Sequence, residues 1–310
     1  MTGQEDKMLK LVKEPHPTVM RGSFAVGLEF SQELSPQIQE VARTELRENP
    51  DQIRESLAAF RDILREETDF KLPLDDDAWC IRFLRPCKYY PESAAALVKR
   101  YYEFKVKNAE LYNGLIPSKE KNLFDHDIMQ VLPRRDQHGR RILVIELGKK
   151  WKHKKVSLEE VFKGAVLYLE AALWEPETQV AGGVVIFDMD GLSLQQVSQF
   201  TPSFAKRIID WLQDAVPIRV KGFHVVNQPY IFNMVFALFK PFLREKLRSR
   251  IVFHGTDRDS LHNYISPKVL PDCYGGTLDI DRVTGAEWYK LLIHYDPVYE
   301  AVNSYGYKKQ

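Results

Sequence analysis

The stretch VVIFDMDGLS, residues 184–193, holds the side chains best suited to covalent chemistry. Four apolar residues lead into Asp188-Met189-Asp190-Gly191. Two carboxylates at the end of a strand can act as a nucleophile toward phosphate and as an acid/base beside magnesium. The C-terminal end of a strand is where α/β folds gather such groups. The other candidates are cationic. Lys246 and Arg250 are four apart, on one face if the segment after Pro241 is helical. Arg244 and Arg248 have the same spacing but point nearly opposite, since two residues turn a helix by roughly 200°. Arg219 and Lys221 are two apart at the start of an apolar run, so they share one side of a strand.

The 188–191 string resembles the first motif of haloacid-dehalogenase-type phosphatases. The rest of the chain departs from that pattern. Leu192 stands where those enzymes favour a hydroxyl residue, and the motif sits mid-chain, not on a first strand. No GDxxxD follows, and the acidic run Asp75–Asp77 lies upstream. The next apolar run ends at Asn227, with no Ser or Thr to hold phosphate. A strand end and its turn, capped by Asp188 and Asp190, is the simpler account. The phosphatase stays as the alternative of another class. Neither GxxxxGK[ST] nor GxGxxG occurs, and no Ser or Cys has a nucleophile elbow. His224 and His254 fall in apolar runs and read as structural, and Lys152–Lys155 reads as a solvated loop. The expectation is a non-enzyme with no catalytic residue, cofactor or metal.

Composition sets further bounds. The 310 residues are 44% hydrophobic and 28% charged, enough for a sizeable core. Net charge is +1, so nothing global draws the chain to nucleic acid and any basic function must be local. Three cysteines, Cys80, Cys87 and Cys273, without CxxC spacing, fit reduced thiols and neither a disulfide framework nor a zinc site. The start, MTGQEDKMLKLVKEPHP, lacks a signal-peptide core. No run nears the ~20 apolar residues that span a bilayer. The expectation is a cytoplasmic protein, monomeric in solution.

The elements follow from periodicity. Residues 1–34 read as loosely ordered. Helices are predicted from Ser35-Pro36, after Pro50 on the stripe Ile53, Leu57, Phe60 and Leu64, over DDDAWCIRFLR, and over PESAAALVKRYYEFKVKN. Residues 35–115 thus form an all-helical subdomain. Apolar runs at 142–147, 184–189, 223–228 and 251–256 then alternate with helical patterns. Ser157 and Glu160 form a capping box, and a second helix starts at Thr201-Pro202. This is an α/β domain over 116–280 with a mostly parallel sheet and flanking helices. Residues 281–310 are expected to pack on it. One predicted helix, Tyr230 to Phe239, is apolar around nearly its whole circumference; such a helix is buried on every side or faces something other than water.

Four motifs in order, IRFLRPCKY (81–89), VPIRVKGFHVVNQP (216–229), KPFLREK (240–246) and LPDCYGG (270–276), resemble the CRAL-TRIO lipid-binding proteins. Within them the resemblance is greatest to the tocopherol-transfer branch, then to the clavesin and retinaldehyde-binding branches. It implies a helical subdomain followed by a sheet whose one side, with helices, forms an apolar cavity under a mobile lid. By resemblance the cavity positions are Phe162, Ala165, Val166, Leu169, Phe187, Leu192, Leu194, Phe200, Ile208, Trp211, Leu212, Ile218, Val220 and Phe223. The lid positions are Ile231, Phe232, Val235, Phe236 and Phe239.

The same resemblance assigns Lys88, Arg219, Lys221, Lys246 and Arg250 to a phosphoinositide head group, and leaves Arg244 and Arg248 as solvated surface. Several charge-assisted bonds suit a multiply phosphorylated group. The implied function is a carrier of a hydrophobic lipid such as vitamin E (tocopherol), exchanged at phosphoinositide-containing membranes to which the protein binds peripherally. Ala165 and Leu169 stand where the tocopherol-transfer branch has serines, and Trp211 where it has a small aliphatic residue. These departures keep a retinoid, a carotenoid or another isoprenoid open as cargo.

Overall fold

The apolar runs become strands because their β-branched and aromatic residues suit an extended chain covered on both faces. The computed structural model describes residues 7–308. Its strands are β1 (Val19–Arg21), β2 (Phe24–Val26), β3 (Phe70–Lys71), β4 (Met129–Val131), β5 (Arg141–Glu146), β6 (Gly183–Asp188), β7 (Val220–Val226), β8 (Ile251–Gly255) and β9 (Gly306–Tyr307). The central sheet has the order β4-β5-β6-β7-β8. Strands β5 to β8 pair in parallel, and β4 runs antiparallel along the β5 edge. The architecture is the α/β class expected, with a mostly parallel sheet and flanking helices.

Alternation divides the sheet residues between two faces. Ile142, Val144, Val184, Ile186 and Val226 are buried on one face against Leu261, Ile265, Leu270 and Tyr274. Leu143, Ile145, Val185, Phe187, Phe223 and Val225 look the other way. The second face meets two helices. Leu158–Ala172 starts at a complete capping box, in which Ser157 accepts from the Glu160 backbone and Glu160 answers. Pro202–Asp210 is capped by Thr201 and continues into a wider π turn, Trp211–Ala215.

Before the sheet lie the helices Pro36–Leu46, Pro50–Arg65, Asp77–Leu84 and Pro91–Lys107. Proline stands at the first position of three of them, where its missing N–H costs nothing. Arg85 ties this layer to the helix Pro176–Ala181 that leads into β6: it pairs with Glu48 inside the layer at 2.8 Å and donates to Gln179 at 2.7 Å. The β1–β2 hairpin lies in a stretch where sequence reading had placed no element. Its three-residue strands are too short for periodicity to register. The C-terminal segment also takes part in the core. Trp288, Leu292, Tyr295 and Tyr299 are buried in the main cluster, and β9 pairs with β3. Among the described residues no helix is long and apolar enough to cross a membrane.

Candidate functional site

The sheet face carrying Leu143, Ile145, Val185, Phe187, Phe223 and Val225 does not close on its helices. It bounds a cavity of about 180 Å3 whose lining side chains are all apolar. From helix 158–172 come Leu158, Val161, Phe162, Ala165 and Leu169, an i, i+3, i+4 stripe. Phe200, Phe204, Ile208, Trp211 and Leu212 supply the next wall. Phe162 and Trp211 pack edge to face with centroids 5.1 Å apart. The helix Phe232–Phe239 covers the remaining side. Its Phe232, Val235, Phe236 and Phe239 face inward, and Phe236 stacks edge-on to Phe253 at 4.9 Å.

The outer side of that covering helix exposes Met234 and Ala237 beside Asn233, and Tyr230 stands exposed just before it. Tyr230 is 89% exposed and Met234 57% exposed. The expected all-round apolar helix is therefore half covered: one side meets the cavity and the other stands in solvent.

Nine of the fourteen anticipated cavity positions line this space: Phe162, Ala165, Leu169, Phe187, Phe200, Ile208, Trp211, Leu212 and Phe223. Five do not. Val166 is buried, but one residue past Ala165 turns it by about 100°, off the stripe. Leu192 is buried beyond the 188–191 turn, outside the wall. Leu194 opens a one-turn helix capped by Ser193 and is 62% exposed. Ile218 and Val220 line a neighbouring cavity of about 60 Å3, which shares Leu143, Leu169 and Val185 with the first. The cause is a register shift in the β6–β7 ladder, where Gly183 pairs with Val220 but Val184 pairs with Gly222. Lys221 is the extra residue, and Val220 and Phe223 share a cluster despite being three apart. Ile231 packs on the core from the end of the covering helix and stays off the wall. Sequence reading missed Leu143, Ile145, Val185, Val225, Ile251 and Phe253. Their i, i+2 spacing was visible, but runs apolar on both faces do not say which face is hollow.

The anticipated basic residues come from several elements. Arg219 and Lys221 do share a side: both bind Glu45, Lys221 at 3.2 Å. Arg250 donates to the Val220 carbonyl beside them. Burial first, then the like charge of Arg219, holds Lys221 below the ordinary lysine range. Arg140, which sequence reading did not single out, adds its charge to the same locus and pushes on both Lys221 and Arg250. Lys246 is exposed on the helical turn just before Arg250, and its charge acts on Cys87, next to exposed Lys88.

The helix expected to carry Lys246 and Arg250 on one face is absent. Lys240–Phe242 is a single 3-10 turn, Leu243 and Arg244 are extended, and Glu245–Arg248 is one helical turn. Arg250 lies past that turn, at the entry to β8. Leu247, buried against Ile209 and Phe223, holds the short turn in place. Arg244 lies on the surface, paired with Asp214 at 2.6 Å.

Asp188 is engaged at both oxygens. One accepts from the Asp190 backbone and from Asn227, each at 2.9 Å; the other accepts from the Tyr274 hydroxyl at 3.0 Å. Arg258 in turn donates to Asn227, and Lys149 pairs with Asp190. The turn is also tight. A Cβ on Gly148 would lie 1.8 Å from the Asp190 carbonyl oxygen. These contacts make Asp188 a staple between the ends of β6 and β7 and the Tyr274 segment. Asp188→Ala is expected to lower unfolding free energy by roughly 2 kcal/mol, because two side-chain donors lose a charged acceptor. Urea denaturation at neutral pH measures it, and an unchanged midpoint would remove the staple role.

The CRAL/TRIO domain model matches residues 125–276. Clavesin-1 of Rattus norvegicus is 34% identical over 299 residues, covering 95% of this chain and 82% of that protein. Clavesin-2 of Homo sapiens is 35% identical over 247 residues, with 79% and 75% covered. Alpha-tocopherol transfer protein-like of Mus musculus is 36% identical over 252 residues, with 81% and 73% covered. The match takes in the sheet, the cavity helices and the covering helix together, and the chain belongs to the CRAL/TRIO family of lipid-binding proteins.

Proposed function

We propose that this chain is an intracellular carrier. It holds a hydrophobic, isoprenoid-like lipid in the cavity and exchanges it at phosphoinositide-containing membranes when helix 232–239 opens. The observation that carries the reading is a wholly apolar cavity covered by a helix whose only polar side chain is Asn233. The closed helix faces cargo with Phe232, Val235, Phe236 and Phe239. The open helix presents them, with Tyr230 and Met234, to the bilayer interface.

Magnitudes support a membrane trigger. Burying ~400 Å2 of apolar cargo surface contributes on the order of 10 kcal/mol before binding costs. Cargo held that tightly leaves slowly without help. Lys and Arg near an anionic surface add roughly 1 kcal/mol each, and a phosphoinositide that binds the open form better shifts the population toward release. Ala165 and Leu169 put no hydroxyl on the wall, and Phe162, Phe187, Phe200, Phe204, Trp211 and Phe223 make it strongly aromatic. That lining suits a conjugated retinoid or carotenoid skeleton as well as a tocopherol.

Mass spectrometry of a solvent extract from protein purified out of its native tissue is expected to show a bound isoprenoid lipid. Lys246→Glu with Arg250→Glu is expected to weaken binding to phosphoinositide vesicles by roughly tenfold or more, leaving cargo occupancy intact. Vesicle binding is measured by sedimentation. Unchanged binding of the double variant would remove these two residues from the head-group site.

A further inference from the structure

One basic segment has no place in the cavity or beside Arg219. Gly148 to Lys155 reads GKKWKHKK and lies in the loop between β5 and helix 158–172. Its backbone is pinned from inside. Trp151 is buried, and its indole donates to the Val156 carbonyl at 2.9 Å. The buried side-chain amide of Gln196 donates to the carbonyls of Leu147, Gly148 and Trp151 at 3.2, 2.8 and 2.7 Å. The Lys155 and Val156 amides both return to the Lys152 carbonyl. The loop is a fixed turn that leaves Lys152, Lys154 and Lys155 exposed.

Charge on this turn is unbalanced. Lys149 pairs with Asp190 and Lys150 with Asp127. The carboxylates of the next helix are taken as well, Glu159 by Arg207 and Glu160 by Ser157 and Asn122. Among the described residues, Lys152, Lys154 and Lys155 have no acidic partner. Like charges held this close repel, so the fold gains nothing by grouping them, whereas an anionic surface outside would use all three. The turn also sits beside the covering helix. Gln196 belongs to the one-turn helix Leu194–Val197, which touches helix 232–239. Phe200 packs on Trp151 at 5.8 Å and on Phe239 at 6.2 Å. Leu194, Tyr230 and Met234 stand exposed around that contact. Unpaired cations next to exposed large apolar side chains suit an anionic bilayer interface. A nucleic acid would leave Leu194 and Met234 unused.

We propose that Lys152, Lys154 and Lys155 form a separate membrane contact that reads negative surface charge and no particular head group. The inference rests on reading helix 232–239 as the membrane-facing element. Arg219, Lys221 and Arg250 lie at the starts of β7 and β8, whereas this turn follows the end of β5. A strand of seven residues puts the two ends of the sheet roughly 20 Å apart. The covering helix leads from the end of β7 back toward the start of β8. One basic locus lets the protein pivot on a bilayer; contacts at both ends of the sheet hold the covering helix flat against it.

The test uses the full chain and phosphatidylcholine vesicles carrying phosphatidylserine, with or without a doubly phosphorylated phosphatidylinositol. Changing Lys152, Lys154 and Lys155 together to Gln is expected to weaken binding to both vesicles by roughly tenfold or more at low salt. Changing the same three to Arg keeps the charge and is expected to keep the binding. Lys13, Lys71 and Lys107 are exposed outside residues 125–276. Changing those three to Gln removes as much charge and is expected to cost no more than about twofold. Thermal unfolding and extracted lipid show that each variant folds and loads. Unchanged phosphatidylserine binding in the first Gln variant overturns the proposal and leaves the membrane reading of helix 232–239 standing. A loss in the Arg variant assigns the effect to loop shape, and an equal loss in the distant triplet assigns it to net charge; either overturns it. A loss confined to the phosphoinositide vesicles merges the turn with the head-group site and overturns it. Loss of binding to a double-stranded RNA probe, with vesicle binding unchanged, makes the turn a nucleic-acid surface and overturns it. Failure of wild type to bind any anionic vesicle, with cargo still loaded, overturns the membrane reading itself.

Discussion

Replacing Ala165 by Trp is expected to abolish lipid loading while the protein still folds. Ala165 sits mid-helix on the cavity stripe between Phe162 and Leu169, opposite the sheet face of Val185 and Phe187. An indole there grows into a space of about 180 Å3 and takes the room that cargo would fill. Overpacking a filled core costs about 1–3 kcal/mol, but here the new ring has a hollow to enter and apolar walls to meet. The fold is therefore expected to lose little stability, and extracted lipid per protein to fall by roughly tenfold or more. Leu194→Trp is the control, because Leu194 is exposed and off the wall. Quantitative mass spectrometry of both proteins decides the matter. Full loading of Ala165→Trp would place cargo outside this cavity.

Lys105→Met is expected to raise stability at pH 7 by on the order of 3 kcal/mol. The Lys105 ammonium is buried behind the Tyr112–Trp211 side of the cavity and has no hydrogen-bond partner. Its nitrogen lies 5.2, 5.7 and 5.2 Å from the ring centroids of Tyr101, Tyr102 and Tyr112. Ring faces attract the cation but do not replace its lost water. Burial therefore pulls Lys105 down to about 8 from 10.5, with Glu170 resisting. Between those values the unfolded chain binds more protons than the folded one, so wild-type stability rises with pH across that window. Below pH 8 the cost of charging the buried amine is fully present, and each pKa step is worth about 1.4 kcal/mol. The Met variant carries no such cost. Its advantage is expected to be largest at pH 7 and to vanish toward pH 10.5, by urea denaturation at a series of pH values. A gap independent of pH would show that Lys105 destabilises by shape and not by charge.

How far the sequence could be read differs between the fold and the site. The strands at 142–147, 184–189, 223–228 and 251–256 were legible because runs apolar on both faces have few other uses. Helix starts were legible at Ser157, with Glu160 three residues on, and at Pro36, Pro50 and Pro202, because these signals are local. The same two-faced apolarity hid which side of the sheet was hollow, so Leu143, Ile145, Val225 and Phe253 were missed. Spacing also failed wherever local geometry departs from a regular period. The register shift at Lys221 moved Val220 off the wall. The break after Pro241 leaves Arg250 past the helical turn that carries Lys246.

The sequence by itself determined the architecture, the family and the presence of an all-round apolar helix at 232–239, because periodicity, caps and motifs act within a few residues. Only the tertiary structure decided which residues face the cavity, that Asp188 staples a turn, and that Glu45 lies on Arg219 and Lys221. Glu45 meets them across more than 170 positions of chain. Such a contact is made by packing helix 36–46 on Val180 and Ala181, and no local pattern records it.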